Sequence, residues 1–219
     1  MQEFIIHSIP GSPFGRAVLV LFEEKNARYR FSPVPPGSLK TPEHLSRHPF
    51  GKIPALDHGP FRLYETQAIL RYVDRVLPQP ALTPSDPQAV ARMDQMMNVN
   101  DWYLFQGVAS VIGFQRVVGP RLMGLKTDED AIAASMPGAH AVFAELARQL
   151  GEKPFFIGET VSLADVILAP QLDFLRATPE WQPLTADHEN LRTWLDRMNT
   201  RPSMASTTWE RVAGMANAA

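Results

Sequence analysis

His48-Pro49-Phe50-Gly51-Lys52-Ile53-Pro54 runs into two brief strand signals, Pro54 to Asp57 and Phe61 to Tyr64, which flank the turn residues His58-Gly59-Pro60. Thr66 to Val76 (TQAILRYVDRV) follows as a helix that stops ahead of Pro78. A proline entering a strand cannot donate to the ladder, so Pro54 belongs at an edge, in a cis bond, or in a plain loop. A cis bond there turns the Ile53 backbone N–H and C=O outward, where an extended, peptide-like ligand can pair with them by strand addition.

Working outward, Glu3 to His7 reads as a buried strand and Arg16 to Asn26 as a helix, with Val18, Leu19, Phe22 and Lys25 at helical spacing. Residues 28–34 alternate like a second strand, a Pro/Gly-rich loop spans 33–37, and Pro42 to Arg47 makes one helical turn. The order is β-α-β-α-β-β-α within residues 1–77. Four prolines, at positions 78, 80, 84 and 87, make 78–87 a stiff linker. Only helices are predicted in 88–219. One runs from about Pro87 to Val117, with a stripe of Met93, Met97, Asn100, Leu104, Val108 and Val111. The next covers Asp128 to Leu150, with a kink or break at Pro137-Gly138. Others start at Ser162, near His188 and after Pro202. The expected fold class is an α/β N-terminal domain plus an all-α C-terminal domain.

Composition narrows the function. The chain has 219 residues, 45% of them hydrophobic, and a formal net charge of −2. That balance shows no basic stripe for nucleic acid. No apolar run reaches the roughly 20 residues of a membrane helix. The N-terminus carries no secretory signal, so a cytoplasmic protein is expected. Cysteine is absent, which removes disulfides, zinc-thiolate sites and cysteine nucleophiles. Any thiol chemistry must use a thiol that arrives with the substrate. His44 and His48 have the spacing of a helical metal pair, but Pro49 and the lack of a third nearby ligand argue against it, and no metal is expected.

Between the first strand and helix lies Ile9-Pro10-Gly11-Ser12-Pro13-Phe14-Gly15-Arg16. Locally, Ser12 is an N-cap with Pro13 at the first helical position. The same placement sets a hydroxyl where the helix start favours negative charge, able to donate a hydrogen bond to a bound thiolate. The two roles are compatible. Thr66 reads as the cap of the later helix, whose first N–H groups can receive a carboxylate, and Glu65 just ahead of it can take an ammonium group. Taken alone, Glu65-Thr66 reads first as a solvated helix start.

Together these segments resemble the soluble glutathione transferases, in particular the serine-type theta and phi-like classes and their bacterial relatives. The likeness rests on Ser12 with Arg16, on Val18 to Asn26, on Leu45 to Leu56 and on Leu63 to Ile69. It extends to Gly158-Glu159-Thr160-Val161-Ser162-Leu163-Ala164-Asp165, a capping box with Ser162 as N-cap and Asp165 at the third helical position. The resemblance implies a thioredoxin-like first domain and a homodimer that uses glutathione as co-substrate. It assigns Ser12 to the glutathione sulfur and the Ile53-Pro54 backbone to the cysteinyl unit. Lys40 and Lys52 would approach the glycyl carboxylate, Glu65 and Thr66 would hold the γ-glutamyl end, and Phe14 N–H would stand near the sulfur. Pro13 departs from an ideal thiolate site because it has no N–H to donate. Pro13, Phe105 and Ile112 are candidates for an apolar wall beside a small electrophile, with core packing as the other account of the last two. A glutathione-dependent isomerase or dehalogenase and a non-catalytic glutathione-binding module remain as alternatives.

Overall fold

The computed structural model describes residues 2–35 and 37–217. Met1, Pro36 in the expected loop, and residues 218–219 at the end of the expected helical domain lie outside the described residues. The elements run β1 (Phe4–Ser8), α1 (Pro13–Glu24), β2 (Arg30–Pro33), a 3-10 turn (Ser38–Lys40), α2 (Pro42–Arg47), β3 (Ala55–His58), β4 (Phe61–Tyr64) and α3 (Thr66–Val76). They continue as α4 (Pro87–Val99), a π-helical stretch (Asn100–Val118), α5 (Gly119–Met123), α6 (Glu129–Leu150), α7 (Leu163–Arg176) and α8 (Trp181–Thr185). The chain closes with α9 (Glu189–Asn199), α10 (Pro202–Ser206) and α11 (Trp209–Asn217). The described residues form two compact units, one of residues 2–35, 37–83 and 199–217 and the other Pro84–Met198.

The first unit is built on a four-stranded sheet in the order β2-β1-β3-β4. β1 and β2 are parallel, joined by the α1 crossover, while β3 and β4 are antiparallel additions. This is the thioredoxin-like α/β arrangement expected from the sequence. Phe4 and Ile6 of β1, Leu56 of β3 and a run from Ala17 to Phe22 on α1 are buried in its core. A buried ion pair, Lys25 with Asp74, ties the end of α1 to α3. Asp74 also accepts Leu82 N at 3.1 Å and Thr83 Oγ1 at 2.5 Å, which pins the proline-rich segment 78–83 to this unit. Residues 199–217, read from sequence as part of the helical domain, pack with this unit. Arg201 makes a bidentate pair with Glu24 at 2.7 Å on each arm, and Arg16 Nη2 donates to Met204 O at 3.1 Å, so α10 docks along α1.

In the second unit the expected helix from Pro87 to Val117 is one continuous helical run that changes winding at Asn100. With i→i+5 bonding each turn takes in more residues than an α-turn. Buried positions accordingly recur at Asn100, Leu104, Val108, Ile112 and Val117, and Val111 of the expected stripe is only half-buried. α6 passes through Pro137 without the expected break. Pro137 and Ala133, whose carbonyl loses its bond, are both exposed, so water can satisfy what the proline leaves unmade. The capping box at Ser162 is present. The sequence did not reveal what its acid does next. Asp165 is fully buried, and one carboxylate oxygen accepts Phe156 N and Trp194 Nε1, each at 2.9 Å, while the other accepts Ser162 N at 2.9 Å and Ser162 Oγ at 2.8 Å. Four donors therefore converge on one side chain, joining the start of α7 to α9.

Removing that acceptor leaves buried donors unpaired, at about 1–3 kcal/mol each. Asp165→Ala is expected to lower the unfolding free energy by at least about 3 kcal/mol in urea denaturation, and Asp165→Asn, which keeps one acceptor oxygen, by less.

Candidate functional site

The site is assembled at one end of the sheet. His7 pairs across to Ala55, and Ala55 pairs across to Tyr64. Because β1 and β4 leave the sheet at this end and β3 enters it, the turn after β1, the Ile53-Pro54 entry and the Glu65-Thr66 exit all meet on the same edge. Two helix starts, α1 and α3, are there as well, and each concentrates N–H groups and positive partial charge toward an anion.

The turn that delivers Ser12 is made by its own sequence. Ser12 N donates to Ile9 O at 3.1 Å across Pro10-Gly11, and Gly11 has φ of +86°. Proline followed by a left-handed residue is the chemistry of a type II turn. Ser12 then has extended backbone and its Oγ accepts Gly15 N at 3.2 Å. Pro13 occupies the first helical position and Phe14 the second. The hydroxyl is half-buried, and because its cap bond uses an oxygen lone pair, the O–H proton stays available to donate.

The segment carrying Lys40, Lys52 and Ile53 is held from beneath by residues with no obvious motif. His44 on α2 is buried, and its Nε2 lies 2.7 Å from Lys52 O, which accepts its hydrogen bond. Gly51 N donates to His48 O at 2.8 Å, and Lys40 Nζ reaches Phe50 O at 3.2 Å. Arg62 of β4 donates to Ser46 O at 3.2 Å and forks onto Asp57 at 2.6 and 3.0 Å, while Asp57 also meets His7 Nε2 at 2.9 Å. Burial acts to raise the Asp57 carboxyl, but Arg62 and His7 outweigh it and hold it below the usual value. Lys40 and Lys52 are both exposed, giving this lip of the site positive charge. The Ile53–Pro54 bond is cis.

At the other lip the structure shifts one assignment. Glu65, not Thr66, is the residue ahead of α3, and Thr66 is the buried first residue of the helix itself. Glu65 has φ of +70° and ψ of 117°, a conformation that costs a non-glycine residue about 1–3 kcal/mol and is concentrated at functional sites. Its side chain is 61% exposed, and one carboxylate oxygen lies 4.0 Å from His48 Nε2. Burial keeps the His48 imidazole below its ordinary value, against the pull of Glu65, so the ring is neutral at physiological pH. His44 and His48, four apart in sequence, thus serve Lys52 O and the Glu65 region. His48 opens the motif read from the sequence, whereas the roles of His44 and His7 carry no local signal, one on a short helix and the other on a strand.

Of the three apolar-wall candidates, Pro13 stands beside Ser12. In the helical unit Phe105 is half-buried and Ile112 is 0% exposed, so Ile112 has a packing role and no surface to offer a ligand. Among the described residues no helix is long and apolar enough to cross a membrane.

Comparison with known proteins identifies the family. Residues 2–75 match the family model of the glutathione S-transferase N-terminal domain and residues 129–197 that of the C-terminal domain. Glutathione S-transferase F14 of Arabidopsis thaliana is 32% identical over 176 residues, covering 78% of this chain and 68% of the relative. The crystal structure of glutathione transferase F2 from Populus trichocarpa superposes with a TM-score of 0.84 at 25% identity, over 99% of this chain and 100% of that one. A structure of glutathione S-transferase-I bound with lactoylglutathione gives a TM-score of 0.82 at 24% identity, over 97% and 99% of the two chains. With both domain models matched in order and a relative of this identity, the chain belongs to the glutathione S-transferase family and is a glutathione transferase.

Proposed function

We propose that the enzyme is of the serine type, theta- or phi-like, and that Ser12 activates glutathione for attack on small hydrophobic electrophiles. The observation that carries this reading is the half-buried Ser12 hydroxyl, fixed by Gly15 N–H at the start of α1 and left with its own proton to give. Glutathione binds as an extended peptide along the sheet edge. Its cysteinyl backbone pairs with Ile53 beside Pro54, its glycyl carboxylate faces Lys40 and Lys52, and its γ-glutamyl head is taken by Glu65 through the ammonium and by the start of α3 at Thr66 through the carboxylate. The sulfur then lies over Ser12, with Phe14 beside it.

Chemistry follows from placement. The thiol loses its proton to solvent, and the Ser12 O–H donates to the resulting thiolate, lowering the thiol's pKa from about 8.5. The thiolate forms a carbon–sulfur bond to the electrophile. With 1-chloro-2,4-dinitrobenzene the carbon–chlorine bond breaks and chloride leaves; with an activated alkene the neighbouring carbon takes a proton from water. The protein supplies proximity and charge stabilisation without a covalent intermediate. Pro13 contributes no N–H, so activation rests on the hydroxyl and on the helix as a whole. No step requires a metal. A cytoplasmic homodimer is part of this proposal; its support is the family and the large aromatic side chains each unit exposes, Phe50 at 63% in the first and Trp102 at 63% in the second.

Glutathione at a hundredfold excess over Kd is expected to stabilise the fold by about 2.7 kcal/mol, seen as a raised Tm. Ser12→Ala is expected to keep that shift and lose about 10- to 100-fold in kcat at pH 6.5, with the apparent pKa of kcat/KM moving up toward that of free thiol. Turnover equal to the parent's would remove Ser12 from the mechanism. Glu65→Ala should behave oppositely, raising the KM for glutathione about tenfold with kcat nearly unchanged, because it deletes binding common to ground and transition states.

A further inference from the structure

The catalytic turn has a neighbour that comes from the far end of the sequence. A Cβ built on Gly11 would fall 2.6 Å from Trp209 Cδ2, 2.7 Å from Cε2 and 2.9 Å from Cε3. Cδ2 and Cε2 are the two atoms shared by the fused indole rings and Cε3 adjoins Cδ2, so Gly11 meets the face of the indole and not its edge. Gly11 is the residue before Ser12, and its φ of +86° already excludes ordinary side chains. The first turn of α1 packs on the end of β1, because a Cβ on Gly15, three residues past Ser12, would fall 2.0 Å from Ser8 Oγ. The Gly11-Ser12 turn therefore packs against Trp209, and the helical turn that follows it packs against Ser8.

Trp209 is brought there by α10. Arg16, four residues beyond Ser12, donates to Met204 O at 3.1 Å, Ser203 Oγ donates to Glu24 at 2.5 Å, and Arg201 grips Glu24 with two bonds of 2.7 Å. Thr207 Oγ1 donates to Ser203 O at 2.7 Å, closing α10 just before α11 begins at Trp209. All of these residues lie in the first unit.

We propose that Trp209 is a positioning residue for Ser12, its indole face holding the Gly11 turn so that the hydroxyl keeps the aim needed to stabilise the glutathione thiolate. The inference rests on the assignment of the thiolate to Ser12. Glutathione itself is gripped elsewhere, at Lys40, Lys52, Ile53, Glu65 and Thr66, so loosening the turn separates activation from binding.

The test compares full-length Trp209→Phe, Trp209→Leu and Trp209→Ala in kcat, glutathione KM and the pH profile of kcat/KM with 1-chloro-2,4-dinitrobenzene. Trp209→Leu keeps an apolar side chain but no flat face, and serves where alanine fails to fold. Both Leu and Ala variants are expected to lose about tenfold in kcat at pH 6.5, with the apparent pKa raised by about one unit. Glutathione KM is expected to stay within about twofold, and Trp209→Phe to restore most of the profile. A Trp209→Leu enzyme with lowered Tm but the parent's kcat and pH profile would show the ring to be packing alone and overturn the proposal. If Ser12→Ala also retained full turnover, the assignment of Ser12 would fall first; if Ser12→Ala lost turnover while Trp209→Leu did not, only the role of Trp209 would fall.

Discussion

A helix start leaves N–H groups without partners inside the helix, and Ser12 Oγ takes one of them, from Gly15, at 3.2 Å. That bond fixes where the hydroxyl points and leaves it a donor. Much of the surrounding architecture can be understood as serving this one orientation. The Pro10-Gly11 turn delivers Ser12, Ser8 sits beneath the first turn of α1, and α10 and α11 close over it from the C-terminal end. Across the sheet, the register of His7, Ala55 and Tyr64 brings the Ile53 and Glu65 lips to the same edge.

The alternation and turn residues of the first 77 positions were enough to give the order of strands and helices, because each short element there carries its own punctuation: Pro42, the Gly59-Pro60 turn and Pro78. The capping box at Ser162 was equally plain. Long-range choices were not. Nothing local told Pro137 that its ring would face water, or told the helix beyond Asn100 to wind more widely. Nor does periodicity reveal that residues 199–217 pack with the first unit: Arg201 and Glu24 are far apart in the chain, and their pairing has no periodic signature.

The site was legible where a backbone device was written in residue types, as with Ser12-Pro13, Ile53-Pro54 and Glu65-Thr66. It was less legible where a side chain serves another residue's backbone. His44 orients Lys52 O, and the Arg62–Asp57–His7 chain ties α2 to the sheet, yet in sequence these are ordinary polar positions. The start of α3 is a further case: a cap is recognised by type, but only the backbone shows that the helix begins one residue earlier, with Glu65 ahead of it at positive φ and Thr66 buried. Family membership carries the glutathione transferase activity, and a fold does not fix the electrophile.

The central claim concerns one ionisation, and ultraviolet difference absorbance of the thiolate can follow it directly, without an electrophile. Titrating glutathione bound to the parent protein should give a thiol pKa well below the free value of about 8.5, and the same titration of the Ser12→Ala complex should bring it back close to that value. Identical titration curves for the two complexes would contradict the account.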